Sequence, residues 1–534
     1  NLDVVDIDGA VNMASTLTVG AVLDVTSTVD ASDATGDTGA IRTEGGVSIA
    51  KKLYVGTAAS FGSTMSVGST ITGTSIDLSG NIDVDGTTNL DVVDIDGAVN
   101  LGSTFTFGNA AYIIGNSTNG IRINKSDDSV NLFKFLDDGS FQTVTLGTSN
   151  LRLGLNAGNS IVSGGNYNVV VGDEAGTNLT TGDYSTFVGY GAGDAINTAD
   201  YNTVVGANAL SAETKGNRSV AVGMNALLAQ NFTSSTDAYN VAVGMSAGSS
   251  VTTGIQNTFI GGLAGDATTT ADNNTAVGYS SLGANTTGAG NVAVGFQAAD
   301  AITGGSDNVS VGLATLTSDT LGNKSVAIGN YSLAYQNFTS GTDAYNTAVG
   351  YSAGTAVTTG LYNTLIGGLA GDALTDADAN VVVGVNALTT DTLGSRTVAI
   401  GKDALASQNF TSATNTYNVA VGYSAGVAVT TGTNNTLIGG LAGDAITTGG
   451  HNVATGYNAL GANTTGNFNV AVGRDTLQAN TTASNNTAMG YSALLLNTTG
   501  TQNTAVGAFA GDAITTGTYN VALGRSALSA NTTA

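Results

Sequence analysis

The 534-residue sequence predicts an all-β chain: a parallel β-roll (a β-solenoid) of stacked 17-residue turns that follows a β-rich shaft. Three observations predict it. A pentad N-[VT]-x-[VI]-G returns at fixed phase from residue 168 onward; the chain has 76 glycines but no proline, cysteine or tryptophan; and only 10% of residues are charged. Soluble globular domains carry roughly 25% charged residues. Gly, Asn, Thr and Ser are loop formers when unpatterned, but here they are interleaved with Val, Ile and Leu in register. Many short strands joined by tight turns follow from that.

The period decides the architecture. The pentad closes on glycines 172, 189, 206, 223, 244, 261, 278, 295, 312, 329, 350, 367, 384, 401, 422, 439, 456, 473, 490, 507 and 524, a constant 17-residue period broken three times by a 21-residue turn. NLRLG, ending at Gly154, reads as one more, atypical turn. The residue three before each of these glycines is Val or Thr, and the residue just before it is aliphatic except at Thr455. These two share one face of a short strand. Between them stands Ala in most copies, with Val170, Phe187, Phe259 and Leu365 as larger variants, so both faces read as apolar and buried. The slot four before the glycine is Asn in 17 copies, among them Asn168, Asn202, Asn240, Asn257, Asn274 and Asn291. Stacked in successive turns these form a structural ladder. Stacking at the inter-strand spacing gives a rod of roughly 100 Å. A turn this short encloses a thin core, and its second apolar face needs another surface; rotationally symmetric self-association supplies it most simply. The organisation expected is an irregular shaft over 1–148 and a roll of about 21–22 turns over 149–534.

The remaining chemistry is sparse. No cysteine means no disulfide, thiolate ligand or thiol nucleophile. The formal charge of −25 disfavours nucleic acid and anionic membrane as partners, and no apolar run is long enough to insert in a membrane. Asn81, Asp83, Asp85 and Gly86 match the first half of a calcium loop, but the twelfth place is Val92 and the acids alternate with Ile82 and Val84. A solvated strand face accounts better for this segment and for Asp6 and Asp8. His451 is the single histidine and stands in a slot held by Tyr in eight other turns, so no Ser-His-Asp arrangement exists. The repeated AGDA strings place Asp194, Asp266, Asp372, Asp444 and Asp512 at one phase, which suits a turn role. Paired carboxylates for glycoside hydrolysis would break the repeat at one location, and none does. N-x-T strings such as Asn463-Thr464-Thr465 are repeat loops. No cofactor, metal or catalytic residue is expected.

The three longer turns are the informative irregularity. Each carries a related insertion, QNFTSSTDAYN, QNFTSGTDAYN and QNFTSATNTYN, with Phe232, Phe338 and Phe410 in the bulge. Each follows a turn with a base in the Tyr slot: Arg218, Lys324 and Arg396. An exposed aromatic beside a cation would make a candidate surface-binding bulge for a sugar or a partner. The alternative, which we favour, has Phe covering the bulge's own core while the base holds the loop by a cation–π contact.

At Ser325-Val326-Ala327-Ile328-Gly329, and at the NVAVG and NTAVGYSAG strings, the sequence resembles the head of trimeric autotransporter adhesins. It is also similar to the β-repeat tail fibres of tailed phages. The resemblance covers about 150–534. It implies a left-handed parallel β-roll and an elongated trimeric fibre, so the chain's first partner would be itself, as a homotrimer. The family head repeat is commonly shorter than the period found here, so the loop side differs. Thr38–Gly56, the identical segments at 1–12 and 89–100, and Ala111–Phe135 resemble phage fibre elements. The expectation is a non-enzymatic structural and adhesive protein, a phage tail fibre in the virion that presents a surface for a host glycan or protein. The alternatives are a bacterial trimeric adhesin head at the extracellular cell surface and, third, a polysaccharide-degrading tailspike. The chain starts at Asn1 and stops inside a turn at ANTTA, so the natural protein is expected to continue.

Overall fold

The computed structural model describes residues 147–533, the strands at 121–124, 131–135 and 141–143, and positions 49, 52, 53, 55 and 64–67. The partial calcium loop and the acids Asp6 and Asp8 lie outside these residues. Two compact units divide the chain, Asn1–Phe107 and Gly108–Ala534. The second holds an antiparallel meander of β1 (Ile121–Asn124), β2 (Asn131–Phe135) and β3 (Phe141–Thr143) ahead of the roll.

The roll is a parallel β-solenoid of about 22 turns, without a helix among the described residues. Each turn gives one three-residue strand, from Leu151–Leu153 to Val521–Leu523, paired in parallel and in register with the strand one turn away. Leu151–Leu153 and Val521–Leu523 each pair on one side only, so the sheet is an open stack. No helix among the described residues is long and apolar enough to cross a membrane.

The corners need unusual backbone. In the turn closed by Gly261 the closing glycine has φ 138°, and Leu263, Gly265 and Asn273 sit near φ +60°. A Cβ at Gly261 would lie 2.6 Å from the carbonyl carbon of Gly278, so the closing slot admits only glycine. Non-glycine residues at the other corners tolerate the left-handed region at a cost of roughly 1–2 kcal/mol each.

Within one chain only the central strand residue is buried. Ala276 and Phe259 have no exposure, whereas the flanking residues of their strands are half-buried or exposed. The sequence reading of a strand buried on both faces therefore holds for one face. The other presents Val, Thr and Ile outward, turn after turn, with Val243 36% and Ile260 40% exposed.

The asparagine ladder lies inside the wall. Asn257 Oδ1 accepts the backbone N–H of Asn274 at 2.9 Å, and Asn257 Nδ2 donates to the Ala271 carbonyl at 2.8 Å. The same two bonds recur at Asn168, Asn202, Asn240, Asn274 and Asn291. Each Asn thus satisfies two buried backbone groups that a three-residue strand leaves over.

Candidate functional site

The bulged turns depart from the repeat, and the structure builds each from one template. Two extra residue pairs join in parallel, Gly216–Asn217 with Thr236–Asp237, Gly322–Asn323 with Thr342–Asp343, and Gly394–Ser395 with Thr414–Asn415. Thr233, Ser234 and Ser235 are exposed at the first tip.

Phe232, Phe338 and Phe410 face inward, with only 5–7% of each exposed. The candidate reading of an exposed phenylalanine is corrected on this point. The ring is the apolar side chain that fills the space behind the bulge, and a Cβ at Gly216 would sit 2.7 Å from Phe232 Cδ2. The three bases lie instead against tyrosines of the slot five before the closing glycine.

Beneath each bulge is a buried polar network that the sequence reading missed. Glu213, Asp319 and Asp391 are fully buried, each in the seventh place after a closing glycine and one full turn before Gln230, Gln336 and Gln408. Asp319 Oδ1 accepts from the N–H groups of Gly322 at 2.9 Å and Phe338 at 3.1 Å. Its Oδ2 accepts from Gln336 Nε2 at 2.6 Å. Gln336 Nε2 also reaches Ser325 Oγ, and Gln336 Oε1 accepts from Asn346. Glu213 and Asp391 repeat the pattern through Gln230 with Asn240 and Gln408 with Asn418. Burial pushes the Asp319 carboxyl up, and the bond from Gln336 and then the backbone donors oppose that shift. The shared one-turn offset between acid and amide was the signal available in the sequence.

Above each bulge the surface carries a base, a tyrosine and a third group. Arg218 Nε lies 3.1 Å from Asp237 Oδ1, and its guanidinium stands between the rings of Tyr201 and Tyr239 at 4.8 and 5.7 Å. Tyr201 continues into a stack with Tyr184 and Tyr167 at 5.3 and 4.9 Å between centroids. In the second bulge Lys324 Nζ lies 2.6 Å from Asp343 Oδ2 and 5.2 Å from the Tyr345 centroid. The hydrogen bond from Lys324 leads in lowering the Asp343 pKa. In the third, Arg396 Nη1 donates to Tyr417 Oη at 2.9 Å with the ring centroid 5.9 Å away, and Asn415 replaces the aspartate.

Searches against protein families, curated proteins and solved structures give no significant match.

The other marked residues are slot residues of the roll. His451 is exposed and stacks on Phe468 at 4.8 Å. Asp194, Asp266, Asp372 and Asp444 are half-buried in the corner that follows the strand, and burial raises each pKa. Asp512 shares their slot, and its Oδ1 has no hydrogen-bond partner. No group of three His, Cys, Asp or Glu comes together among the described residues.

Two exposed strips frame the outward strand face. One is the tyrosine slot. The other follows the closing glycine and includes Tyr190, Met224, Met245, Tyr279, Phe296 and Tyr351. Between them runs the Val/Thr/Ile stripe. The stripe mixes Val and Ile with Thr, and the two strips interleave their aromatics with polar residues such as Asp173, Lys402 and Arg474.

Proposed function

We propose that this chain is a structural and adhesive fibre, most simply a phage tail fibre that self-associates as a homotrimer and presents a host-binding surface from the virion. One observation carries the reading. The outward strand face presents Val, Ile and Thr, without a charged residue, along the roll from Val169 to Leu523, while the bulged edges are polar and differ from one bulge to the next. This face is where copies of the chain would join on a threefold axis, and the bulges are left as the displayed surface. The repeated acids and amides serve the wall, which supports a role without catalysis. The same geometry suits a bacterial adhesin head, and the choice of the phage rests on the motif resemblance over the segment 1–148.

Light scattering and negative-stain microscopy of the full chain test this. The expected particle has three times the 52.5 kDa chain mass and a rod segment of roughly 100 Å. A monomer with the outward face exposed would withdraw the fibre reading.

A further inference from the structure

The three bulges differ at several positions, and one of these differences leaves the third with a base and no internal carboxylate. In the first two, an internal carboxylate, Asp237 or Asp343, pairs with the base. It is also held by a neighbouring amide, Asn217 Nδ2 at 3.2 Å or Asn323 Nδ2 at 3.3 Å. In the second, Tyr345 Oη also donates toward Asp343 Oδ2, at 3.5 Å. The molecule thus shows twice what its surface holds at this place: a carboxylate against a cation with an amide donor beside it.

In the third bulge the carboxylate is gone, Ser395 stands where Asn217 and Asn323 donate, and the base and the tyrosine remain. Asn415 stands at the aspartate position, and no ion pair to Arg396 occurs among the described residues. The Arg396 guanidinium is exposed and held beside the Tyr417 ring by its bond to Tyr417 Oη. Because that oxygen accepts from Arg396, the phenol proton is free to be donated outward. Guanidinium, Asn415 Nδ2 and Tyr417 O–H are therefore donors in a cluster that holds no carboxylate, its one side-chain amide acceptor being the neutral Asn415 Oδ1. Asp378, whose backbone carbonyl accepts the Arg396 N–H, has its Oδ1 accepting from Leu361 N at 2.7 Å. One further difference concerns the ring. Tyr345 is covered by Tyr362 at 5.9 Å, whereas the turn after Tyr417 places Asn434 in that slot, so the far face of Tyr417 has no stacked ring.

We propose that the Arg396–Asn415–Tyr417 cluster binds the carboxylate of an acidic sugar, a uronic or sialic acid residue of a surface glycan. The carboxylate supplies to Arg396 the negative charge that Asp237 and Asp343 supply in the other bulges, from beyond Asn415, and the sugar ring lies beside Tyr417. Arginine presents a planar fork that matches a carboxylate, and the amphipathic tyrosine ring offers an apolar face to a pyranose. This deepens the adhesive reading and rests on it.

Saturation-transfer NMR on the full chain, with glucuronate as probe and glucose and acetate as comparisons, tests the site. Glucuronate is expected to bind and glucose to show no transfer. Asn415→Asp restores the internal carboxylate of the other bulges and is expected to weaken glucuronate binding roughly tenfold or more, the loss of charge-assisted hydrogen bonds. Asp343→Asn removes the internal carboxylate of the second bulge and is expected to add a second site. Both variants exchange residues that the same template already carries, so the fold is retained. Unchanged binding in Asn415→Asp, or equal transfer to glucose, overturns the proposal. Displacement of glucuronate by equimolar acetate overturns the sugar part. A trimeric rod that ignores glucuronate would sink the site and leave the fibre standing; a monomer that binds it would do the reverse.

Discussion

At the scale of the residue, the core is filled once per turn from one of two slots, except after Gly261, where Gly265 and Thr268 leave the space to Phe259. Where the fourth residue after the closing glycine is Leu, as at Leu227, Leu282 and Leu333, the seventh is polar: Gln230, Asn285 and Gln336. Where the fourth is Gly, as at Gly176, Gly354 and Gly443, the seventh is Leu179, Val357 and Ile446. The large strand residues follow the same rule. Phe259 is flanked by Gly248 and Gly265, where a Cβ would fall within 2.8 Å of its ring atoms, and Leu365 stands likewise between Gly354 and Gly371. A tight interior tolerates neither a void nor an extra methyl group. Phe259→Ala is therefore expected to cost about 3–5 kcal/mol in urea unfolding. Adding Gly265→Leu should recover part of that loss, whereas Gly265→Leu alone should destabilise. A double variant that is simply additive would contradict the shared space. Three of the four exceptions to the asparagine ladder, all but Ser185, have the same kind of cause. Ser219, Ser325 and Thr397 are short because Gln230, Gln336 and Gln408 reach their hydroxyls from the bulge.

At the scale of the element, the turn is legible in the sequence and the bulge only in outline. The strand and closing glycine show at once because they recur at every turn, and a pattern so regular has one physical reading. The two-slot core rule is hidden, since either slot alone looks like loose variation between Gly and Leu. Glu213, Asp319 and Asp391 escape notice because a single acid in a turn normally points to solvent; their burial depends on amides that arrive a turn later. The Phe rings stay open between surface and core for the same reason, because what covers them comes from the neighbouring turn. The bulge network makes a direct prediction. Gln336→Ala leaves the Asp319 carboxylate and the Asn346 amide each short of a partner, at a cost of about 1.5–3 kcal/mol in denaturant unfolding. Gln502→Ala, at an exposed slot, should stay within about 0.5 kcal/mol of the parent. A corner can also be improved. Thr389 Oγ1 donates to Asp372 Oδ1 at 2.6 Å from the next turn. The equivalent residue above Asp266 is Gly283, where a Cβ would lie 3.6 Å from Asp266 Oδ1 and 3.3 Å from the Ser280 carbonyl oxygen, a tight contact that a shift of a few tenths of an ångström relieves. Gly283→Thr is expected to supply the same rung, raise stability by about 1 kcal/mol and lower the Asp266 pKa, which a carboxyl-carbon NMR titration would read.

At the scale of the whole molecule, the stack carries its charge in a way that ties stability to pH. Asp194, Asp266, Asp300, Asp319, Asp372 and Asp444 are all held above the usual value of 3.8, with burial the leading cause each time. A carboxyl whose folded pKa is raised contributes stability that is fully present below 3.8 and is lost as pH rises through its folded value. Asp343 and Asp403 act in the opposite sense. The hydrogen bonds from Lys324 and Lys402 lower them, so their contribution is present above 3.8 and lost as pH falls through their folded values. The Lys324–Asp343 pair and the Lys402 end of the other pair are exposed and screened by solvent, so both pairs contribute little. Acidification also relieves the self-repulsion of a chain at −25. The buried acids and the net charge thus act in the same direction. The thermal midpoint is therefore expected to rise as pH falls from 7 to about 4.5, and the rise should shrink, without vanishing, in high salt. Salt screens the long-range repulsion while leaving the burial of each carboxyl unchanged. A midpoint that falls over this range would mean that the exposed pairs, and not the half-buried corner aspartates, set the balance.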